Sequence, residues 1–182
     1  MINKIKRLFV FITLHMINAK KRAAFIKKIN LLHHVGENCA FFIKDFGTEP
    51  YLIKIHNNVE IASGVKLITH DDSVSMVKNI ENKNTFIDSV GSIEIFDNCF
   101  IGAESIIMPN TKIGPNSIIA AGSVVTKNVR EGEIVGGVPA KKIGLFNEWV
   151  DKTTKKSNEL PWKGLKGKSV IKSRITYFWG ND

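Results

Sequence analysis

The sequence predicts an all-β solenoid, a parallel β-helix, and three observations carry that prediction. From residue 95 onward an aliphatic residue recurs every six positions, at Ile95, Ile101, Ile107, Ile113, Ile119 and Val125. Four residues after each of the first five stands a small side chain: Cys99, Ser105, Thr111, Ser117 and Ser123. An earlier block keeps the same period at Ile55, Ile61 and Leu67, with Val59 and Val65 four residues after the first two. Neither an α-helix nor a plain strand has a six-residue period. Short strands that each turn one aliphatic side chain inward and then pass a tight corner do, each stacking on the strand one circuit away. Gly102 and Gly114 directly follow their aliphatic residues, and Ala120 takes that place in a third repeat.

The elements divide the chain into three parts. Residues 1–34 read as a helical segment, in which Ile5, Leu8, Phe9, Ile12 and Met16 fall three or four apart and share one face. The apolar stretch from Leu8 to Ile17 falls well short of the roughly 20 residues that span a bilayer, and basic residues follow it where a signal peptide would carry a cleavage site. Amphipathicity leaves two uses of this helix open, packing on its own oligomer or lying on a membrane surface. Residues 35–143 form the β-helix. Within it the step from Leu67 to Ile95 is 28 residues, which six does not divide, so "DDSVSMVKNIENKNTFIDSVGS" at 71–92 is predicted to leave the stack as a loop. Residues 144–182 leave the period: Leu145, Trp149 and Val150 suggest a short helix capping the solenoid, and the Lys-rich 151–169 reads as an irregular arm. The aromatics Trp162, Tyr177, Phe178 and Trp179 imply that this arm docks.

A chain of 182 residues suits one domain with such appendages. Its net charge of +9 sits at the ends. Residues 1–30 hold eight Lys or Arg and no acid, residues 141–182 hold ten against four, and 31–140 holds eight against thirteen. The folded body is therefore mildly acidic, which argues against a nucleic-acid-binding core. The basic ends are compatible with peripheral attraction to an anionic membrane. Cys39 and Cys99 have no ligand spacing, which fits a reducing cytoplasm and suggests no metal site.

"YLIKIHNNVEIASGVKLITHD", "IEIFDNCFIGAESIIMPNTKIGPNSIIAAGSVVTKNV" and "GGVPAKKI" together resemble the hexapeptide-repeat acyltransferases, and within them bacterial O-acetyltransferases of sugars and polysaccharides. The resemblance covers about residues 35–145 and is specific for the superfamily rather than the substrate. It implies a left-handed β-helix of triangular cross-section with three hexads per circuit, a homotrimer with active sites between subunits, and acetyl-CoA as donor.

The resemblance also assigns roles. His70, at the end of a circuit just before the loop, matches the catalytic histidine. An imidazole, with an ordinary pKa of about 6.5, can take the proton of an acceptor hydroxyl and return it to the departing thiolate. Against that stands the plain alternative that His70 beside Asp71 and Asp72 only ends a turn. Asn57 matches an acceptor-contacting position, and Asp71 and Asp72 are candidates for the same site. Phe100, Ala103, Ala121 and Thr126 fall where the donor's acetyl and pantetheine arm would lie, with Lys141 and Lys142 towards its phosphates. His15, His33 and His34 read as packing or surface residues, while His56 occupies a hexad slot that could line the acceptor cleft. The function expected is acetylation of a sugar hydroxyl in a surface polysaccharide (capsule or lipopolysaccharide) or its precursor. Two other readings stay open: acetylation of a small molecule such as serine, an amino sugar or an antibiotic, and a catalytically silent trimeric scaffold.

Overall fold

The computed structural model describes residues 4–81, 87 and 89–180, with side chains from Leu8 onward in the first helix. The predicted loop's positions 82–86 and 88 lie outside the described residues, as does the side chain of Ile5. Two helices open the chain, α1 (Lys4–Met16) and α2 (Ala19–Lys28). The strands that follow are β1 (His34–Val35), β2 (Ala40–Phe41), β3 (Ile53–Ile55), β4 (Glu60–Ile61) and β5 (Lys66–Leu67). An excursion comes next: β6 (His70–Asp71), α3 (Ser73–Glu81) and β7 (Ser89–Val90). The stack resumes with β8 (Ile93–Ile95), β9 (Phe100–Ile101), β10 (Ile106–Ile107), β11 (Thr111–Ile113), β12 (Ile118–Ile119), β13 (Val124–Val125), β14 (Glu133–Gly136) and β15 (Lys141–Leu145).

These strands form three sheets that the chain visits in rotation. The first has the order β1-β3-β8-β11, the second β15-β14-β12-β9-β4-β2 and the third β13-β10-β5. The pairs from β1 to β14 across these sheets are parallel. The six-residue period is the physical cause: it delivers one inward aliphatic residue to each sheet in turn. Ile55, Ile95 and Ile113 pair in one row, Ile61, Ile101 and Ile119 in a second, and Leu67, Ile107 and Val125 in a third. All nine are buried in one core.

The corners explain the remaining repeat positions. Cys99, Ser105, Thr111, Ser117 and Ser123, each four after an aliphatic residue, are buried, and three of the five donate to the neighbouring circuit's backbone. Ser105 Oγ donates to Ala120 O (3.0 Å), Ser117 Oγ to Arg130 O (3.0 Å) and Cys99 Sγ to Gly114 O (3.1 Å). At Gly102 a Cβ would stand 2.5 Å from the Ala121 nitrogen, so glycine is needed for close stacking. The third residue after the aliphatic one takes positive φ, at Asn58 (55°), Asn98 (60°) and Asn116 (54°), whose side chains hydrogen-bond in a ladder at 2.8 and 3.0 Å. Asn tolerates this region at low cost. Glu104 (φ 59°) occupies the same place without that tolerance. Glu104→Asn is therefore expected to stabilise the fold by about 0.5–1 kcal/mol, read as a rise in Tm of about 1–4 °C.

The loop leaves the stack as predicted, with structure of its own. His70 pairs with Val90 and Asp71 with Ser89 in an antiparallel neck. The 40-residue step from Lys54 to its partner Glu94 exceeds the 18-residue step from Glu94 to Lys112 by 22, the length of 71–92. The insertion is thus absorbed without disturbing the ladder. Gly91 N–H closes the neck on Thr69 O at 2.8 Å.

Two expectations are corrected. The N-terminal segment is two helices, because Asn18 stops the first and caps the second, its side chain accepting the Lys21 N–H at 3.0 Å. The arm is helical well past Val150. Residues 145–182 form a second compact unit containing α4 (Phe146–Glu159) and α5 (Lys168–Trp179), so the irregular stretch is confined to the Pro- and Gly-containing link between them. Within that unit the Trp162 ring meets Tyr177 edge-on at 5.3 Å and lies under the Arg174 guanidinium at 5.4 Å.

Candidate active site

The corner that follows the third sheet carries His70. Its backbone belongs to the neck, which fixes where the ring starts, and its side chain reaches back to the first circuit. His70 Nδ1 lies 2.7 Å from Glu49 Oε1, with side-chain exposures of 23% and 13%. Glu49 is held in turn by Thr48 Oγ1 at 2.5 Å and Thr69 Oγ1 at 3.2 Å, both donating to Oε2. These hydrogen bonds, that from His70 first, hold the Glu49 carboxyl below the usual carboxylate range. An ionised carboxylate only accepts, so it requires the proton on Nδ1 and leaves the Nε2 lone pair as the neutral ring's base.

Glu49 had no motif to announce it. It comes from the third side of the first circuit, which forms no ladder strand and is two residues longer than the later circuits: His34 pairs with Lys54 20 residues on, where 18 is the later step. Gly47, at φ 77°, lets this side lie close on β5, its Cβ position falling 2.9 Å from Leu67 O.

The other expected site residues distribute over three corners. Asp72 Oδ1 stands 3.8 Å from His70 Nε2. Asp71 turns away and accepts the Ser73 N–H at 2.9 Å at the start of α3. Asn57 is at the corner after the first sheet, accepting the Glu37 N–H (2.9 Å) while its own N–H donates to Asp97 Oδ1 (2.7 Å). One chain therefore does not bring Asn57 to His70. Phe100 is half-exposed on β9 of the second sheet, and Ala103 and Ala121 stack at the corner beyond, where Gly122 N–H donates to Ala103 O (2.8 Å). Thr126 lies at the same corner as His70, since β5, β10 and β13 are consecutive in the third sheet. Lys141 and Lys142 are exposed on β15, and Lys142 Nζ is 3.9 Å from Glu133 Oε1.

His56 belongs to a different cluster. Its ring stacks on Phe96 at 4.8 Å, and its Nε2 lies 3.0 Å from Glu94 Oε1, which Lys54 Nζ also meets at 3.0 Å. Hydrogen bonds from His56 and Lys54 bring the Glu94 pKa down from 4.5 to about 2. A depressed carboxylate stabilises the fold above its ordinary pKa and loses that contribution as pH falls through the folded value. Glu94→Gln should therefore lower the denaturation midpoint at neutral pH, and the difference from the parent should close between pH 4.5 and about 2. A constant difference across that range would remove Glu94 from the acid response. Among the described residues no group of three or more His, Cys, Asp or Glu is placed to hold a metal ion.

Comparison with known proteins bears on this arrangement. Residues 92–127 match the family model described as bacterial transferase hexapeptide (six repeats). Protein CapG of Staphylococcus aureus is 44% identical over 121 residues, covering 65% of this chain and 67% of CapG. Galactoside O-acetyltransferase of Escherichia coli (strain K12) is 33% identical over 120 residues, 63% of this chain and 55% of the relative, so the chain spans little more than half of that enzyme. In three dimensions a galactoside acetyltransferase solved in complex with coenzyme A shares the fold, with 24% identity, 81% of this chain and 82% of that chain covered, and a TM-score of 0.56. By its period, by the match over residues 92–127 and by its likeness to CapG, the chain belongs to the bacterial transferase hexapeptide family, the hexapeptide-repeat acyltransferases.

Proposed function

We propose that this protein is an acetyl-CoA-dependent O-acetyltransferase that acetylates a sugar hydroxyl of a surface polysaccharide or its precursor. One observation carries the reading: His70 at the mouth of the excursion, with Nδ1 held by Glu49 at 2.7 Å. With Nδ1 protonated, Nε2 takes the proton of the acceptor hydroxyl as its oxygen attacks the thioester carbonyl. Glu49 steadies the imidazolium so formed, and the same Nε2 then gives the proton to the departing sulfur, releasing CoA as thiol. Direct transfer needs no covalent enzyme intermediate. Asp72, 3.8 Å from Nε2, is suited to meet an acceptor hydroxyl. Asp71 contributes by capping α3.

Thr126 shares the His70 corner, and the small Ala103 and Ala121 leave the backbone of the neighbouring corner open to an extended pantetheine arm. Phe100 offers an apolar surface to the acetyl end, and Lys141 and Lys142 charge to the phosphates. A left-handed β-helix assembled as a homotrimer would bring the Asn57 corner of one subunit towards the His70 corner of the next, supplying the acceptor contact that one chain leaves distant. The two buried free thiols fit the reducing cytoplasm, Cys99 being pushed up to about 11 by burial.

The test is release of free CoA thiol from acetyl-CoA with a panel of acceptors: hexoses, N-acetylhexosamines, uronic acids, their nucleotide-linked forms, and serine or aminoglycosides. Turnover with sugars above serine and aminoglycosides is the expected result. Preference for the latter group would assign the site to small-molecule acetylation, and silence across the panel with a folded trimer would favour a scaffold.

A further inference from the structure

Helix α1 is apolar on two sides, and only one of them faces protein. Leu14 is buried and Val10 packs against the core. On the opposite side Leu8, Phe9, Phe11, Ile12 and Met16 are 60, 64, 59, 47 and 81% exposed. At 100° per residue these five side chains spread over an arc of roughly 160° centred away from Leu14. Among the described positions on that arc the sole polar ring is His15, whose Nδ1 is engaged by Phe11 O at 2.8 Å.

We infer that this outer face of α1 docks the protein on an anionic lipid surface, lying in the interface rather than crossing it. Charge decides between the occupants such a face could have. Residues 1–30 hold eight Lys or Arg and no acid, with Lys20, Lys21 and Lys28 exposed on the adjoining helix. A second copy pairing through this same face would bring two cationic segments together, whereas acidic headgroups neutralise them. Thirteen helical residues reach about 20 Å, and no described helix is long and apolar enough to cross a membrane. A helix of this kind buries its apolar face about 5–10 Å into the headgroup boundary. The anchoring is rigid: Arg22, on α2, donates to Leu14 O (2.9 Å) and Ile17 O (2.8 Å) at the end of α1 and to Phe41 O (2.5 Å) of β2. The helix is thereby pinned to the body from behind.

The experiment is co-sedimentation of the full chain with vesicles of phosphatidylcholine, with and without phosphatidylglycerol, read without any turnover. Failure here leaves the acetyltransferase reading standing, and failure of that reading leaves this one. The expected result is binding to the mixed vesicles that weakens several-fold on raising salt and is much lower on phosphatidylcholine alone. Phe9→Glu with Ile12→Glu should reduce it at least tenfold while circular dichroism and the melting curve stay unchanged, since both side chains point away from the core. Lys20→Glu with Lys21→Glu should remove most of the phosphatidylglycerol preference. Undiminished binding by the Phe9/Ile12 variant overturns the inference. So does loss of binding through Ile171→Glu with Trp179→Glu instead, which would move the dock to α5. A wild type that ignores both vesicles, while the Phe9/Ile12 variant sediments as a smaller species, would make the face an interface between copies.

Discussion

His70→Ala should reduce kcat/KM for acetyl transfer by about 10² to 10⁴, roughly 3–5 kcal/mol of barrier, while leaving affinity for acetyl-CoA and the oligomeric state near normal. The ring stands in the neck, outside the inward aliphatic rows, so its removal opens no cavity in the stack. Glu49→Gln is the informative companion. An amide at that place can donate to Nδ1, favouring the tautomer with its proton on Nε2, which cannot accept from a hydroxyl. A loss of roughly 10 to 10³-fold in kcat with KM for acetyl-CoA unchanged is expected. Full activity in His70→Ala would return the residue to a turn-ending role. A change of oligomeric state in the same variant would make any fall in rate structural.

Arg22→Ala should be the most damaging single change to the fold away from the aliphatic rows. Arg22 is 6% exposed, and its guanidinium satisfies three carbonyls, at Leu14, Ile17 and Phe41. Burial pushes its pKa down, yet the side chain has no acidic partner among these contacts; the carbonyl dipoles do the work. Removing it strands acceptors that cost about 1–3 kcal/mol each when left unmet, less whatever water reaches, so a net loss of about 2–4 kcal/mol is expected by denaturant unfolding. Arg22→Lys should recover only part of it, because an ammonium cannot present the planar fork that reaches three directions at once. Equal stability of the Ala variant would show that α1 and α2 are held by their apolar contacts alone.

The stack was legible because its cause is local and repeated. Each inward aliphatic residue stands six from the last, and Ile95, Ile101, Ile107, Ile113 and Ile119 are all fully buried. His70 was legible because the period stops beside it. The loop's helix α3 was not read: Val74, Val77 and Ile80 stand three apart, but nine residues between Asn-, Asp- and Ser-rich flanks are too few turns for that spacing to stand out from a loop. The Asn ladder went unseen because it occupies the third place after the aliphatic residue, while the first and fourth places carried the visible glycine and small-residue signals. Glu49 was hidden for a deeper reason. Its contact with His70 depends on how an aperiodic side of one circuit settles on the next, a matter of stacking that no spacing within "GTEP" records. The continuation of α4 to Glu159 was also invisible: "DKTTKKSNE" shows no apolar stripe, and none of its residues is buried.

The rotation through three sheets also makes the molecule a ruler. Neighbouring strands of a sheet lie about 4.8 Å apart, and Leu67, Ile107 and Val125 are consecutive rungs of the third sheet. The two steps from the His70 level to the Thr126 level therefore measure about 10 Å. Loss or gain of one whole 18-residue circuit would change that interval by a single rung and leave every side chain on its own face. Loss of six residues would keep the aliphatic rows filled yet turn everything beyond by a third of a circuit, carrying Thr126 to another edge. Length between His70 and Thr126 is thus quantised, and drift in this stretch of chain keeps the two residues at one corner only when it comes in whole circuits.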